Sequence, residues 1–292
     1  MNSKIYNLLI LILLLGCNER ETNHSFNVNR VNDIHSTFCV TFSPDLNEVY
    51  FTKAEGVWGK EKLRSSIYYS KIEDGNWLKP QKVKFAHEAN NSSPHLTRDG
   101  RRLYYISNQA IANDSSSNIW YVERHSIYDP WSVPKPLDFT INSPYAEYSP
   151  KTTANGDLYF ASSRSGGLGQ GDLYMSKLEN GRFKKPMNLG QEVNSDKGEW
   201  NLELSEDGNI LIFEASQRPE NKTSYGDLYI SFKTSGSWSK PKNIIEINTT
   251  GSDLYPTIVD DLLYYSSSDS LSGPRTNLKV TSLANIIKKY KN

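Results

Sequence analysis

Along most of the chain, apolar and polar residues change places in short runs. Val49-Tyr50-Phe51-Thr52, Leu103-Tyr104-Tyr105-Ile106-Ser107 and Leu158-Tyr159-Phe160-Ala161-Ser162 are rich in aromatic and β-branched residues. Turn formers bound each run, which predicts strands. The same kind of run returns at Ile210-Leu211-Ile212-Phe213 and Leu262-Leu263-Tyr264-Tyr265-Ser266. Each follows a turn: Asp45-Leu46, Asp99-Gly100, Asn155-Gly156, Asp207-Gly208 and Asp260-Asp261. With Asp261 as the last anchor, the gaps are 54, 56, 52 and 54 residues. Units of nearly constant length are an internal repeat.

Each unit continues in a fixed order. A polar or glycine-rich loop leads to a further strand opened by a small polar residue, as in Asn118-Ile119-Trp120-Tyr121 and Asp227-Leu228-Tyr229-Ile230. An aromatic then stands three residues before a proline: Trp77 and Pro80, Trp131 and Pro134, Phe183 and Pro186, Trp238 and Pro241. The proline suits an edge strand, whose outward N–H has no ladder partner. The fifth unit lacks this last feature, and Phe26-Asn27-Val28-Asn29-Arg30-Val31 carries a matching piece at the other end of the chain. The pattern predicts an all-β protein, a five-bladed β-propeller of four-stranded antiparallel blades, closed by an N-terminal strand that completes the last blade. Residues 26–283 form this single domain, and 284–292 read as a polar C-terminal tail with a small basic group at Lys288, Lys289 and Lys291.

The most regular stretch is residues 144–198. It contains Tyr148-Ser149-Pro150, Asn155-Gly156, Ser162-Ser163-Arg164-Ser165-Gly166-Gly167, Asp172-Leu173-Tyr174-Met175-Ser176 and Pro186-Met187-Asn188-Leu189-Gly190. This pattern resembles the TolB-like, WD-repeat-like β-propeller repeats, common in bacterial secreted and envelope proteins. The resemblance implies the fold and leaves the function open. TolB itself has six blades and an extra N-terminal domain, so its partner role is not carried over.

Lys plus Arg and Asp plus Glu both number 33, giving zero formal net charge. This excludes nucleic-acid binding driven by bulk positive charge. Two cysteines cannot form a disulfide framework. Cys39 lies in an apolar run and reads as an inert buried thiol, whereas Cys17 follows Leu14-Leu15-Gly16 after an eight-residue apolar run from Leu8 to Leu15. That run is too short to span a bilayer and suits a signal peptide. The cysteine site resembles a bacterial lipobox. Residues 1–16 are thus expected to be a lipoprotein signal peptide, with Cys17 lipidated and residues 17–25 a tether. The expected address is the bacterial cell envelope, on the membrane through the lipid, as a monomer.

Counting back eight residues from each turn anchor reaches the start of each innermost strand: Thr37, Asn91, Glu147, Glu199 and Asp253. The same register aligns Pro94, Pro150 and Pro256. Inner strands line the central channel, so these polar groups are expected to ring one mouth. Paired carboxylates there could serve a glycosidase or hold a hard cation such as Ca²⁺. A residue type repeated in every unit also fits a structural role, and no cofactor is assigned. Trp200 beside Glu199 has no counterpart in the other units, as Trp58 has none, and the Glu199–Trp200 pair is the best single locus for a ligand. Asn91, Glu147, Glu199, Trp200 and Asp253 are therefore the candidate ligand or cation site. His95 is a candidate to face the channel. The Gly166–Asp172 loop lacks the Gly-Lys-Ser/Thr of a phosphate loop. The resulting expectation is a non-enzymatic binding scaffold for an envelope protein, a glycan or peptidoglycan. The alternatives are a glycan-active hydrolase using Glu147, Glu199 and Asp253, and a structural envelope component.

Overall fold

The computed structural model describes residues 26–56, 64–86, 88–111, 116–269 and 275–291. The expected signal peptide, the tether, Cys17, Trp58 and His87 lie outside the described residues.

The described chain is a five-bladed propeller of antiparallel sheets. Blade 1 holds Ser36–Phe42, Glu48–Glu55, Arg64–Glu73 and the two-residue outer strand Gln81–Lys82. Blade 2 holds Asn91–Leu96, Arg102–Ser107, Asn118–Glu123 and Lys135–Pro136. Blade 3 holds Glu147–Thr152, Leu158–Ser162, Asp172–Ser176 and Met187–Asn188. Blade 4 holds Gly198–Leu204, Ile210–Ser216, Gly226–Thr234 and Lys242–Asn243. Blade 5 has three strands, Asp253–Val259, Leu262–Ser267 and Asn277–Ser282. In blades 1 to 4 the proline of the repeat stands immediately before the outer strand, where a missing N–H costs least.

The second strand of each blade explains the unbroken apolar runs. Successive side chains point to opposite faces, and here both faces are buried. In blade 3, Leu158 and Phe160 pack with Tyr104, Ile106 and Ile119 of blade 2. Tyr159 and Ala161 pack with Leu211 and Phe213 of blade 4. The same division recurs at the other seams, and Val49 and Phe51 of blade 1 meet Tyr264 and Leu278 of blade 5. The ring is closed.

Each innermost strand slips register once. Cys39, Ser93, Ser149 and Tyr255 take the left-handed backbone at this bulge, with φ between 49° and 53°. In blade 4 Asn201 holds this place, and it is not among the positive-φ residues. A bulge adds twist and re-aims the neighbouring side chains.

An asparagine clamp joins consecutive blades. Asn142 accepts from the Ile119 N–H at 2.8 Å and donates to the Ile119 carbonyl at 3.1 Å. Asn194 does the same to Leu173, and Asn248 to Leu228. Each lies five residues before the first polar position of the next inner strand. Asn32 stands in that register before Thr37 and clamps Leu278 of blade 5, with both bonds at 2.8 Å. The Thr37 N–H adds a bond to the Thr276 carbonyl at 2.9 Å.

The N-terminal segment therefore closes the ring, but not as a strand. Val28–Arg30 is a single 3₁₀ turn. The Asn27 side chain accepts from the Asn29 N–H at 3.1 Å, a local bond that competes with a ladder. Phe26 still fills the seam, edge-on to Trp77 and Phe42 at 5.0 and 5.6 Å. The expected polar tail is also corrected, because Leu283–Tyr290 is a helix capped by Ser282. Leu283, Ile286 and Tyr290 recur at helical spacing and bury against Ile244 and Leu263 at the seam of blades 4 and 5. Among the described residues no helix is long and apolar enough to cross a membrane.

Replacing Asn32 with Ala removes both bonds of the closing clamp at a part-buried site. At about 1 kcal/mol each, the loss of stability is expected to be about 2 kcal/mol, read as a lower midpoint in equilibrium urea unfolding.

Candidate functional site

The sequence-derived acids do sit at the starts of the inner strands, but they are closed into loops. Glu147, Glu199 and Asp253 are fully buried, and Asn91 nearly so. Glu147 accepts from the Ser143 N–H at 3.2 Å, the Ser143 hydroxyl at 2.6 Å and Arg164 at 3.1 Å. Glu199 accepts from the Ser195 N–H at 2.9 Å, its hydroxyl at 2.6 Å and Arg218 at 2.7 Å. Both arginines lie over a stacked pair of rings: Arg164 over Phe160 and Tyr174, and Arg218 over Phe213 and Tyr229. Burial pushes the Glu147 carboxyl up to about 7, against the pull of its Ser143 bonds. Asn91 donates to the Ala89 carbonyl at 2.8 Å. The expectation of a ligand or cation ring is thus corrected for Asn91, Glu147 and Glu199, which tie each blade to the connection before it. Among the described residues no group of three or more His, Cys, Asp or Glu side chains is arranged to hold a metal ion, so the Ca²⁺ expectation finds no support.

Asp253 departs from this pattern. Its carboxyl accepts from the Thr249 N–H at 2.6 Å and the Thr249 hydroxyl at 3.0 Å, but no arginine meets it. Its Oδ1 is buried without a hydrogen bond of good geometry, and the Ser267 hydroxyl of the paired strand stands beside the carboxyl. Burial raises its pKa above the ordinary carboxylate value.

Beside it lies Glu214, which sequence reasoning missed. The register places Glu214 where the other blades carry Thr52, Ile106, Ala161 and Ser266. It is the one acid among these five, and it interrupts the apolar face that Ile212 turns to blade 5. That interruption in Ile210-Leu211-Ile212-Phe213-Glu214 was the available signal. Burial pushes its carboxyl up to about 8; a bond from the Asn201 amide opposes this, and the Asp253 charge adds to it. Glu214 therefore keeps its proton at neutral pH.

Tyr255 lies beside Glu214, and further aromatic side chains stand near the starts of the inner strands. Tyr255 stacks on Phe38 of blade 1 at 4.7 Å between centroids. Trp200 meets Tyr148 of blade 3 edge-on at 5.5 Å. Trp200 is half-buried, and its ring lies over Gly171 and Gly198; a Cβ on Gly171 would fall 2.4 Å from it. The glycine-rich loop is thus a seat for this ring. Asp172 fastens the loop, accepting from the Gly169 N–H at 3.0 Å.

Four residues further along the inner strands, two opposite charges are buried between adjacent blades. Lys151 of blade 3 and Glu203 of blade 4 form a buried ion pair at 2.9 Å. The Cys39 thiol of blade 1 lies close enough to feel both charges; burial pushes it up to about 11, so it is inert. His95 is a satisfied core residue: its Nε2 accepts from the Thr152 N–H at 2.9 Å, and burial holds it neutral.

No family model and no curated protein sequence matches the chain. Among solved structures it is similar to the endo-arabinase from Bacteroides thetaiotaomicron, with a TM-score of 0.54 at 14% identity over 89% of this chain and 97% of that one. It is also similar to the GH93 alpha-L-arabinofuranosidase of Fusarium graminearum in complex with arabinobiose. There the TM-score is 0.54 at 11% identity, over 87% of this chain and 94% of that one. The chain spans 34% of a puromycin-hydrolyzing peptidase of Mycobacterium tuberculosis, at a TM-score of 0.45. These likenesses define the class by fold, a five-bladed propeller. Two of these neighbours are an endo-arabinase and an arabinofuranosidase, a finding that runs against the expectation of a non-enzymatic binding scaffold.

Replacing Arg218 with Ala leaves the Glu199 carboxylate buried without its counter-charge. Breaking a buried pair costs about 3–5 kcal/mol, so the variant should lose stability on that scale in urea unfolding. The exposed pair of Arg98 and Glu206 is the control, where Arg98→Ala should shift the midpoint by less than about 1 kcal/mol.

Proposed function

We propose that this protein is a glycan-active hydrolase working at the channel mouth between blades 4 and 5. The observation that supports this reading is the pairing of two buried carboxyls, Glu214 and Asp253, beside an aromatic collar. Glycoside hydrolysis uses two carboxyl groups, one giving and one taking a proton. Glu214 is the proton donor: it protonates the glycosidic oxygen as the bond to the anomeric carbon breaks. Asp253, which Thr249 and Ser267 hold in place, takes a proton from the water that bonds to that carbon. Trp200, Tyr148 and Tyr255 offer ring faces and edges to the apolar side of a sugar. The arabinase and arabinofuranosidase of similar fold make arabinan the first substrate to test. The unit is held at an envelope membrane through Cys17, in the manner of a TolB-like lipoprotein.

Reducing-sugar release from arabinan, xylan and other neutral polysaccharides tests the chemistry. Glu214→Gln and Asp253→Asn should each lower kcat/KM by about 10²–10⁴-fold. The wild-type rate should fall above pH 8, where Glu214 loses its proton. Full activity in Glu214→Gln, or no turnover on any glycan, sinks the reading. Stability supplies a second check. The folded state keeps a proton that the unfolded chain releases near pH 4.5, so stability declines as pH rises from about 4.5 to about 8. Glu214→Gln should remove part of that decline in thermal melts between pH 5 and pH 8.

Lipidation has its own test. Labelled palmitate should enter the wild-type protein, whereas Cys17→Ser should remain unlabelled and leave the membrane fraction. Equal labelling of both excludes the anchor.

A further inference from the structure

A groove of about 1210 Å³ lies away from the channel mouth, between blades 1 and 2. Ser43, Asp45 and Asn47 of the first turn of blade 1 line it, together with the strand-ending hairpin of blade 2. These lie at the far ends of the strands from Glu214 and Asp253, so the groove opens on the opposite face.

Its roof is an exception in the repeat. Blades 1, 3 and 4 join the third strand to the aromatic residue through the tight turns Asp74-Gly75, Asn180-Gly181 and Ser235-Gly236, all with positive φ. Blade 2 is two residues longer here and makes the connection through residues 124–130. The connection is held firmly at its root. Arg124 donates to the Gly100 carbonyl at 2.8 Å and to Glu48 of blade 1 at 2.7 Å. Its guanidinium lies 4.3 Å from the centre of the Trp131 ring. The loop is tied by the Ser126 N–H to Asp129 at 2.9 Å. It carries Tyr128 into solvent at 91% exposure, and Val133 beyond it is 75% exposed. Longer loops on a rigid scaffold are where binding residues concentrate.

The lining identifies the chemical class. Tyr69, Phe85 and Trp131 supply aromatic surface, while Ser43, Asn47 and Tyr50 add hydroxyl and amide groups that are held in place by bonds to Asp45 and Trp131. Three cations, Lys71, Lys84 and Arg124, face three anions, Asp45, Glu48 and Asp129, so the groove has no net charge. A charged polymer finds no excess of opposite sign. An apolar ligand would strand the polar walls unsolvated, which is costly. A neutral sugar chain presents both an apolar ring face and a rim of hydroxyls. We propose that the groove between blades 1 and 2 is an accessory binding site for a neutral oligosaccharide chain, distinct from the channel-mouth site. It rests on the hydrolase reading for the identity of the polymer: one face would grip the polysaccharide while the other cleaves it.

Affinity electrophoresis through gels containing linear arabinan or polygalacturonate tests this, with Glu214→Gln as the parent to stop turnover. The parent should be retarded by neutral arabinan and not by the anionic polymer. Adding Tyr128→Ala and Val133→Ser, both at solvent-exposed side chains, should weaken retention about tenfold, equivalent to about 1.4 kcal/mol. In the active background the same two changes should leave release from arabino-oligosaccharides of two or three units unchanged. Retention equal to the parent's, no retention at all, or preference for polygalacturonate overturns the accessory site. Failure of the hydrolase reading looks different: the wild type releases no sugar, whatever the gels show.

Discussion

Burial of both faces of the second strand in every blade is the constraint on which the structure depends. A strand such as Leu158–Ser162 has no solvent side, so its sheet cannot stand without a neighbour on each flank. An open stack would leave two terminal sheets with one apolar face bare. Repeat arrays ordinarily solve this with polar caps, whereas a ring needs none. The cost of closure falls on one seam, where the chain's two ends meet. There Phe26 and Asn32 do the work that sequence continuity does elsewhere.

Much of this architecture was legible in the residues. Turn anchors at constant spacing gave five units, and the register of inner strands located Glu147, Glu199 and Asp253 correctly at strand starts. Two ends of the chain were misread for local reasons. Asn27 turns the backbone on itself where a strand was expected, a choice made by one side chain. The Leu283, Ile286 and Tyr290 stripe is too short to stand out among the lysines and asparagines around it, yet it finds an apolar seam to cover.

The candidate site was less legible because recurrence and chemistry leave opposite traces. Counting repeats selects a place that recurs in each blade, and the two glutamates found there, Glu147 and Glu199, are held by arginine and hydroxyl partners. Glu214 appears in one blade only, so an anchor-based alignment passes over it. Asp253 was found, but by the rule that also delivered Glu147 and Glu199; only the structure distinguishes the acid that lacks an arginine. The groove roof follows the same logic, since residues 124–130 are visible as an irregular loop but not as a wall of a cavity.

The buried pair of Lys151 and Glu203 has a consequence of its own. It ties two neighbouring inner strands together through opposite charges. It also makes the third and fourth blades a matched couple. Exchanging either for one of its siblings would strand a lone charge at the hub, so segments alike in shape have become fixed in their seats.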